Sequence, residues 1–300
     1  MRVMDKILYF NGCSWARGSE LDNVYRVEDD LGNSEIIVED RTSRLLSKKL
    51  GYKEINKSQD GKGNQDIIEE TINFAYGNEH NKDNIIINVW LTSPERIWMY
   101  YNDKQFQLNV HMILADINPH QTKEDDWEEM KDDVRVFTEM WAENYHNQKY
   151  YITQYVKDIL LLYNTLKTLG YKFLISNAFY NLDTEPEFNL PFYENSPTKH
   201  FSKLNDDGLW KNVVSKLPKE NFLFGSVEHS IKDKLIDLWD TTKDDYSDYD
   251  VSKLTSILKE KEGWRKKPSY FFCEFGHPSE LGHKKISEWI HTHYKDNNFI

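Results

Sequence analysis

A serine placed directly after a predicted strand is the first group in the chain that could act as a nucleophile. Residues 7–10 form a short apolar run typical of a buried strand, and Asn11-Gly12-Cys13-Ser14 follows it. A serine just past a parallel strand lies at the carboxyl edge of the sheet, where open α/β folds bind their ligands. Gly12 permits a tight turn, so the N–H of Ser14 could point toward a developing oxyanion. Alone, the pattern is equally typical of a turn or a helix N-cap.

A histidine near the other end of the chain could serve as the general base. His277 lies just before the last predicted helix, and Glu274 precedes it by three positions. In a loop, this spacing lets the carboxylate reach the imidazole, fix its tautomer and stabilise the imidazolium that forms when a serine loses its proton. A helix-capping role for the Glu-x-x-His pattern is an open alternative.

A glycine-containing loop, Asp60-Gly61-Lys62-Gly63-Asn64, follows the second predicted strand. It can be a flexible connection, or it can supply a backbone donor for an oxyanion. Its glycines lack the spacing of a dinucleotide-binding or P-loop motif. A phosphate-binding protein would also need a basic or Mg²⁺-binding partner group, which the sequence does not offer.

The elements that would position these residues alternate between strand and helix. Such alternation predicts βαβ units, hence a three-layer α/β fold with a mainly parallel sheet. We expect one domain over residues 1–300, with helical insertions at about 100–150 and 185–265. The predicted strands cover residues 7–10, 52–56, 84–90, 171–176 and 269–273, and the predicted helices cover residues 41–50, 65 onward, 152–169 and 281–294.

The order of these motifs resembles the SGNH (GDSL-like) hydrolase superfamily. A serine turn follows the first strand, a glycine loop the second and a polar turn the third, and a Glu-x-x-His lies near the end. The likeness is to the branch that begins Gly-Cys-Ser, common in phage and bacterial genomes. It covers residues 6–96, 150–180 and 268–294. It implies a flavodoxin-like α/β/α sandwich and a serine esterase with a catalytic triad.

The resemblance implies a role for individual residues. Ser14 matches the nucleophile, His277 matches the base, and Glu274 takes the place of the usual aspartate. The N–H groups of Ser14 and Gly61 match donors of the oxyanion hole. Asn64 matches a polar position that often follows that glycine.

The chain departs from the family at the third motif. Thr92 stands where an asparagine side chain normally donates to the oxyanion. A threonine hydroxyl can donate one hydrogen bond but is shorter than an asparagine amide. Losing one such donor costs about 10²–10³ in rate. Cys13, beside the nucleophile, is expected to be a small buried residue rather than a nucleophile.

Three residues near the predicted cleft are candidates for substrate binding. Trp90 and Trp98 could stack on apolar sugar surfaces, although ordinary packing is the alternative. Arg96 could contact the substrate or pair with an acidic neighbour.

The reaction implied by the resemblance is hydrolysis of an oxygen ester through an acyl-enzyme, with a carbohydrate O-acetyl ester favoured as the substrate. It requires no metal or organic cofactor. Two alternatives stay open, which are an acyltransferase with the same triad and a catalytically silent binding or assembly protein with the same fold.

The charge of the chain argues against two classes of binding partner. The chain has 38 Lys and Arg against 50 Asp and Glu, a formal net charge of −12. Binding to nucleic acid or to an anionic membrane surface depends on clustered basic residues, so neither partner is expected. No signal peptide or membrane span is evident, so we expect a cytoplasmic protein, in the host cytoplasm if the origin is viral.

Overall fold

A four-stranded parallel sheet forms the centre of the protein. The computed structural model describes residues 5–19, 21, 24–28, 34–94, 96–101, 104–108, 136–137, 140–141, 148–178, 207–242, 271 and 277–300. The strands of the sheet are β1 (Ile7–Gly12), β4 (Lys53–Asn56), β5 (Ile85–Leu91) and β8 (Lys172–Asn177). They are arranged in the order β4-β1-β5-β8, which is the order of a flavodoxin-like sheet. Phe222 and Ser230 extend it with single parallel bridges to β8.

Two antiparallel hairpins lie outside this sheet. The first pairs β2 (Val24–Glu28) with β3 (Ser34–Val38), and the second pairs β6 (Ile97–Tyr101) with β7 (Lys104–Leu108). Neither hairpin is predicted from the sequence. The second occupies the start of the segment expected to be a helical insertion.

Helices cover both faces of the sheet. They are α1 (Ser14–Arg17), α2 (Thr42–Leu50), α3 (Asn64–Gly77), α4 (Gln148–Leu169), α5 (Gly208–Asn212), α6 (Ile231–Thr242) and α7 (Glu280–Asp296). Residues of α3 and α4 belong to one buried cluster, and residues of α2, α6 and α7 belong to the other. This is the expected three-layer α/β/α arrangement.

Strand β5 shows why the sheet is buried on both sides. All its residues are buried. Successive side chains of a strand point to opposite faces. Ile87 and Val89 accordingly join the cluster under α3 and α4, whereas Ile86 and Trp90 join the cluster under α2 and α7. A run that is apolar on both faces is typical of a central parallel strand.

The predicted helices and strands of the central sheet are confirmed wherever the structure describes them. The glycines after the helices behave as expected, because Gly51 and Gly170 adopt left-handed φ values of 68° and 80°. The strand predicted over residues 269–273 lies outside the described residues except for Phe271, which is fully buried. The single-domain organisation stays a prediction. No helix among the described residues is both long and apolar enough to cross a membrane.

Gly12 is the point of closest approach at the end of β1. A Cβ atom there would lie 2.8 Å from Ala16 Cβ and 3.0 Å from both the Cβ and the carbonyl oxygen of Trp90. These distances are shorter than van der Waals contact, so a side chain would push α1 or β5 away. The absence of a side chain lets α1 turn back over the sheet immediately after the strand.

We predict that Gly12→Ala lowers the free energy of unfolding by about 1–3 kcal/mol, because the added methyl group overpacks this contact. Urea denaturation measures the change. Gly77→Ala is the matched control, since a Cβ at Gly77 would meet nothing within 4 Å. We expect the control to leave stability unchanged or raise it by up to about 1 kcal/mol. Equal stability of the two variants would show that α1 and β5 leave room for a side chain at Gly12.

Candidate active site

The structure brings together a serine and a histidine that are 263 positions apart. The Nε2 atom of His277 lies 2.8 Å from Oγ of Ser14, within hydrogen-bond distance. Ser14 is the first residue of α1, and its side chain lies at the carboxyl end of β1. This end of β1 borders β5, at the switch point where ligands bind in sheets of this order. The residue is about 9% exposed.

The start of α7 fixes the segment that carries His277. Ser279 caps the helix by accepting a hydrogen bond from the N–H of Gly282 at 3.2 Å, and its own N–H donates to the carbonyl of Phe271 at 2.8 Å. A Cβ at Gly282 would lie 2.4 Å from that carbonyl oxygen. The first turn of α7, which directly follows the segment of His277, is therefore held against the backbone of Phe271.

The backbone N–H of Ser14 is the first candidate donor for an oxyanion. Within the part of the chain that the structure describes, it donates to no acceptor. The following N–H groups, those of Ala16 and Arg17, both donate to the carbonyl of Cys13. A backbone N–H on the nucleophile itself is the usual first donor of an oxyanion hole.

The loop after β4 lies beside the nucleophile and is tied to it. The N–H of Gln59 donates to the carbonyl of Gly12 at 3.1 Å. The carboxylate of Asp60 accepts hydrogen bonds from Arg17 and Ser19, which follow the nucleophile. Gly61 comes next, with a left-handed φ of 71° that only glycine adopts readily. The predicted oxyanion glycine therefore lies in a loop anchored to α1.

Asn64 and Thr92 are hydrogen-bonded to each other, and the role of Asn64 differs from the one expected from the sequence. Asn64 Oδ1 accepts from the N–H of Thr92 at 2.8 Å, and its Nδ2 donates to the carbonyls of Thr92 and Ser93 at 3.1 and 3.3 Å. Both amide hydrogens of Asn64 are thus used in hydrogen bonds to the backbone. The prediction that this side chain donates to the oxyanion is therefore wrong. Its role is to bind the backbone at the end of β5. Thr92 is fully buried, and its Oγ1 has no hydrogen-bond partner among the described residues.

The three predicted substrate-binding residues are placed differently. Trp90 is fully buried and packs edge-on against Phe10, so no ring face is accessible to a sugar, which corrects the prediction for this residue. Trp98 lies in β6 opposite Gln107, and the role of its side chain stays a prediction. Burial lowers the pKa of Arg96, while attraction to the Asp60 carboxylate opposes that shift, so the guanidinium lies near the loop that is anchored to α1.

Two predicted residues of the site remain, Cys13 and Glu274. Cys13 is fully buried and is not part of a disulfide, as expected for a small core residue. Glu274 lies outside the described residues, so its place in a triad stays a prediction.

His283 shows how α7 is docked beside the site. Its Nδ1 accepts a hydrogen bond from the N–H of Thr42 at 3.2 Å, and the Thr42 hydroxyl donates to its carbonyl at 3.2 Å. The N–H of Thr42 is one of the donors that the first turn of α2 leaves without an intrahelical partner. Burial, together with repulsion by His277 whenever that imidazole is protonated and by Arg41, lowers the pKa of His283 to about 3. The ring is therefore neutral and carries its proton on Nε2.

Sequence reasoning missed the buried and partly buried polar residues that hold the site. Asn56 donates to the carbonyl of Ala16 at 3.1 Å and to the hydroxyl of Ser43 at 2.8 Å. Arg41 and Glu54 form a buried ion pair at 2.8 Å on the same side. In the sequence, these residues are marked only as polar residues at the end of a strand or the start of a helix. That pattern is too common to indicate a role at a site.

Comparisons with known proteins add little to this description. No model of a known protein family matches the chain, and no curated protein matches it. Among solved structures, the chain is similar to a crystal structure of TesA, with a TM-score of 0.36 and 9% identity over 97% of this chain and 99% of that chain. At that TM-score the likeness carries no argument, so fold and function rest on the sheet and the site themselves.

We predict that His283 makes the protein less stable in acid. Its pKa is about 3 in the folded state against 6.5 for an ordinary histidine, so between these values the unfolded chain binds a proton that the folded chain does not. The stabilisation is complete above pH 6.5 and is lost as the pH falls toward 3, by about 1.4 kcal/mol per pH unit.

Urea denaturation of the wild type and His283→Asn between pH 8 and pH 4.5 measures this effect. Asparagine can still accept from the N–H of Thr42 but does not titrate. Burial raises the pKa of Asp158 to about 6, and this group titrates equally in both proteins, so the difference between them isolates His283. Stability curves that stay parallel across this range would contradict the assignment.

Proposed function

We propose that this protein is a serine hydrolase that cleaves an oxygen ester through an acyl-enzyme intermediate. The observation that carries the proposal is the 2.8 Å contact between Ser14 Oγ and His277 Nε2 at the carboxyl edge of a parallel sheet. A serine hydroxyl is a weak nucleophile unless a base within hydrogen-bond reach removes its proton. His277 is such a base.

The proposed reaction begins when His277 takes the proton of Ser14 as Oγ attacks the ester carbonyl. The N–H groups of Ser14 and Gly61 hold the resulting oxyanion. Thr92 stands where the family that the chain resembles has an asparagine, but its hydroxyl is fully buried and would reach the oxyanion only after a local shift of the turn that follows β5. Collapse of the tetrahedral intermediate releases the alcohol, which receives its proton from His277. Water activated by His277 then attacks the acyl-enzyme and frees the acid. Glu274 is proposed to orient the imidazole.

The substrate is proposed at the level of an oxygen ester, with a carbohydrate O-acetyl ester as the preferred class. The burial of Trp90 removes one of the two aromatic rings that favoured a sugar. Trp98 and Arg96 remain as candidates to contact the alcohol portion of the ester. The guanidinium of Arg96 can hydrogen-bond hydroxyl or carbonyl oxygens, since it has five N–H donors.

We predict that Ser14→Ala and His277→Ala each lower the rate of p-nitrophenyl acetate hydrolysis by at least about 10³-fold, because the two residues act as a unit. Initial rates at equal concentrations of folded protein give the comparison. Cys13→Ala and His291→Ala are the matched controls and keep the rate within about threefold, since neither residue acts on the ester in this mechanism.

Two results would count against the proposal. A rate that is equal in the wild type and Ser14→Ala would exclude a serine nucleophile and favour a protein that binds without cleaving. A rate lost in Cys13→Ala but retained in Ser14→Ala would move the nucleophile to the neighbouring thiol. An acylated sugar formed when acceptor sugars are added would instead assign acyl transfer by the same serine.

A further inference from the structure

A lysine is buried inside the loop that carries the proposed oxyanion glycine. The side chain of Lys62 is 7% exposed, although lysine is almost never buried unless it is paired. Its ammonium group has three acceptors: Asn11 Oδ1 at 3.0 Å, the carbonyl of Lys57 at 2.9 Å, and a carboxylate oxygen of Glu70. An ammonium group has three N–H donors, so every one of them is used.

The three acceptors belong to three different elements. Asn11 is a fully buried residue of β1, three positions before the nucleophile, and its Oδ1 also accepts from the N–H of Gly12 at 2.9 Å. Glu70 lies in α3, and Lys57 lies at the start of the loop itself. The ammonium therefore joins the end of β1, the loop and α3 at one point.

The Asn11 amide extends this junction into α3. Its Nδ2 donates to the carbonyl of Ile67 at 3.0 Å, to Glu70 at 3.2 Å and to the hydroxyl of Thr71 at 3.1 Å. Asn11 thus contacts both the lysine and the helix to which the lysine is paired. The position of Lys62 relative to β1 is fixed from both sides.

Gly61 is held between two anchors. On one side, Asp60 is paired with Arg17 and Ser19 of the nucleophile segment. On the other side, Lys62 is bonded to β1 and α3. Because both chain neighbours of Gly61 are tied to elements that also fix Ser14, the peptide of Gly61 has little freedom to move relative to the serine.

We propose that Lys62 is a positioning residue that holds the backbone of Gly61 in place to bind the oxyanion. The proposal rests on the function proposed above and deepens it. An oxyanion donor must lie within a narrow range of distances from the developing charge, and a misplacement of about 1 Å can cost about 10² in rate.

Stability alone is a weak reason for this arrangement. The Lys62–Glu70 pair is buried on the lysine side only, because the Glu70 side chain is 38% exposed and stays solvated when its partner is removed. Asn11 Oδ1 keeps the N–H of Gly12 as a partner. Methionine has nearly the length of lysine without its charge, so Lys62→Met can stay folded while it loses the three hydrogen bonds, which separates positioning from stability.

The test compares Lys62→Met with Lys57→Met, a matched control in the same loop whose side chain is exposed. For Lys62→Met we expect kcat for an acetate ester to fall by about 10²-fold with KM within about threefold. The inhibition constant of trifluoroacetone, which adds to a serine hydroxyl and forms an oxyanion, should rise by the same factor as kcat falls. We expect Lys57→Met to match the wild type in all three constants.

Amide hydrogen exchange of peptides spanning residues 57–63 is the readout that needs no activity. We expect faster exchange in Lys62→Met and unchanged exchange in Lys57→Met. If the wild type proved to have no esterase activity, the proposed function would fail, and the exchange rates would still decide whether Lys62 positions the loop. A lower thermal stability of Lys62→Met with unchanged kcat and unchanged exchange would overturn the proposal, as would equal losses in both variants.

Discussion

Strand β1 is paired in parallel with β5 over residues 7–12 and with β4 over residues 7–10, and the geometry of the site follows from that pairing. The register places Phe10 opposite Asn56 of β4 and Gly12 opposite Trp90 of β5. Parallel strands end at the same edge, so the turns that follow β1, β4 and β5 all emerge there. Gly12 has no side chain, so the chain can turn into α1 at once, and Ser14 begins that helix between the turns that follow β4 and β5.

Polar contacts, rather than apolar packing, hold those turns in position. The buried side chains of Asn11, Lys62 and Asn64 and the partly buried side chain of Asn56 each bond to another element that borders the site. Hydrogen bonds are directional, whereas apolar contacts are not, so buried polar groups with all their bonds made fix a loop more narrowly than packing does. Rigidity of this kind suits a site in which hydrogen-bond donors must be aimed at a charge that forms only during reaction.

The sequence predicts the sheet well because its strands are short apolar runs with clear ends. It also predicts that Ser14 and His277 meet, since both follow from motif order. The sequence does not show whether a residue near the end of a strand faces the cleft or the core. Trp90 is therefore predicted to contact substrate, although it packs in the core. The sequence does not predict a buried Lys62 either, because most lysines are exposed and only the three-dimensional acceptors show otherwise.

Reaction with a fluorophosphonate tests the central claim most directly, because such probes phosphonylate only a serine that a neighbouring base activates. We expect one adduct per chain, located by peptide mass spectrometry on Ser14, and its loss in His277→Ala. The Ser14–His277 contact at 2.8 Å is the reason for both expectations. An unlabelled wild-type protein, or an adduct that forms equally well in His277→Ala, would contradict the claim that this pair is a working nucleophile and base.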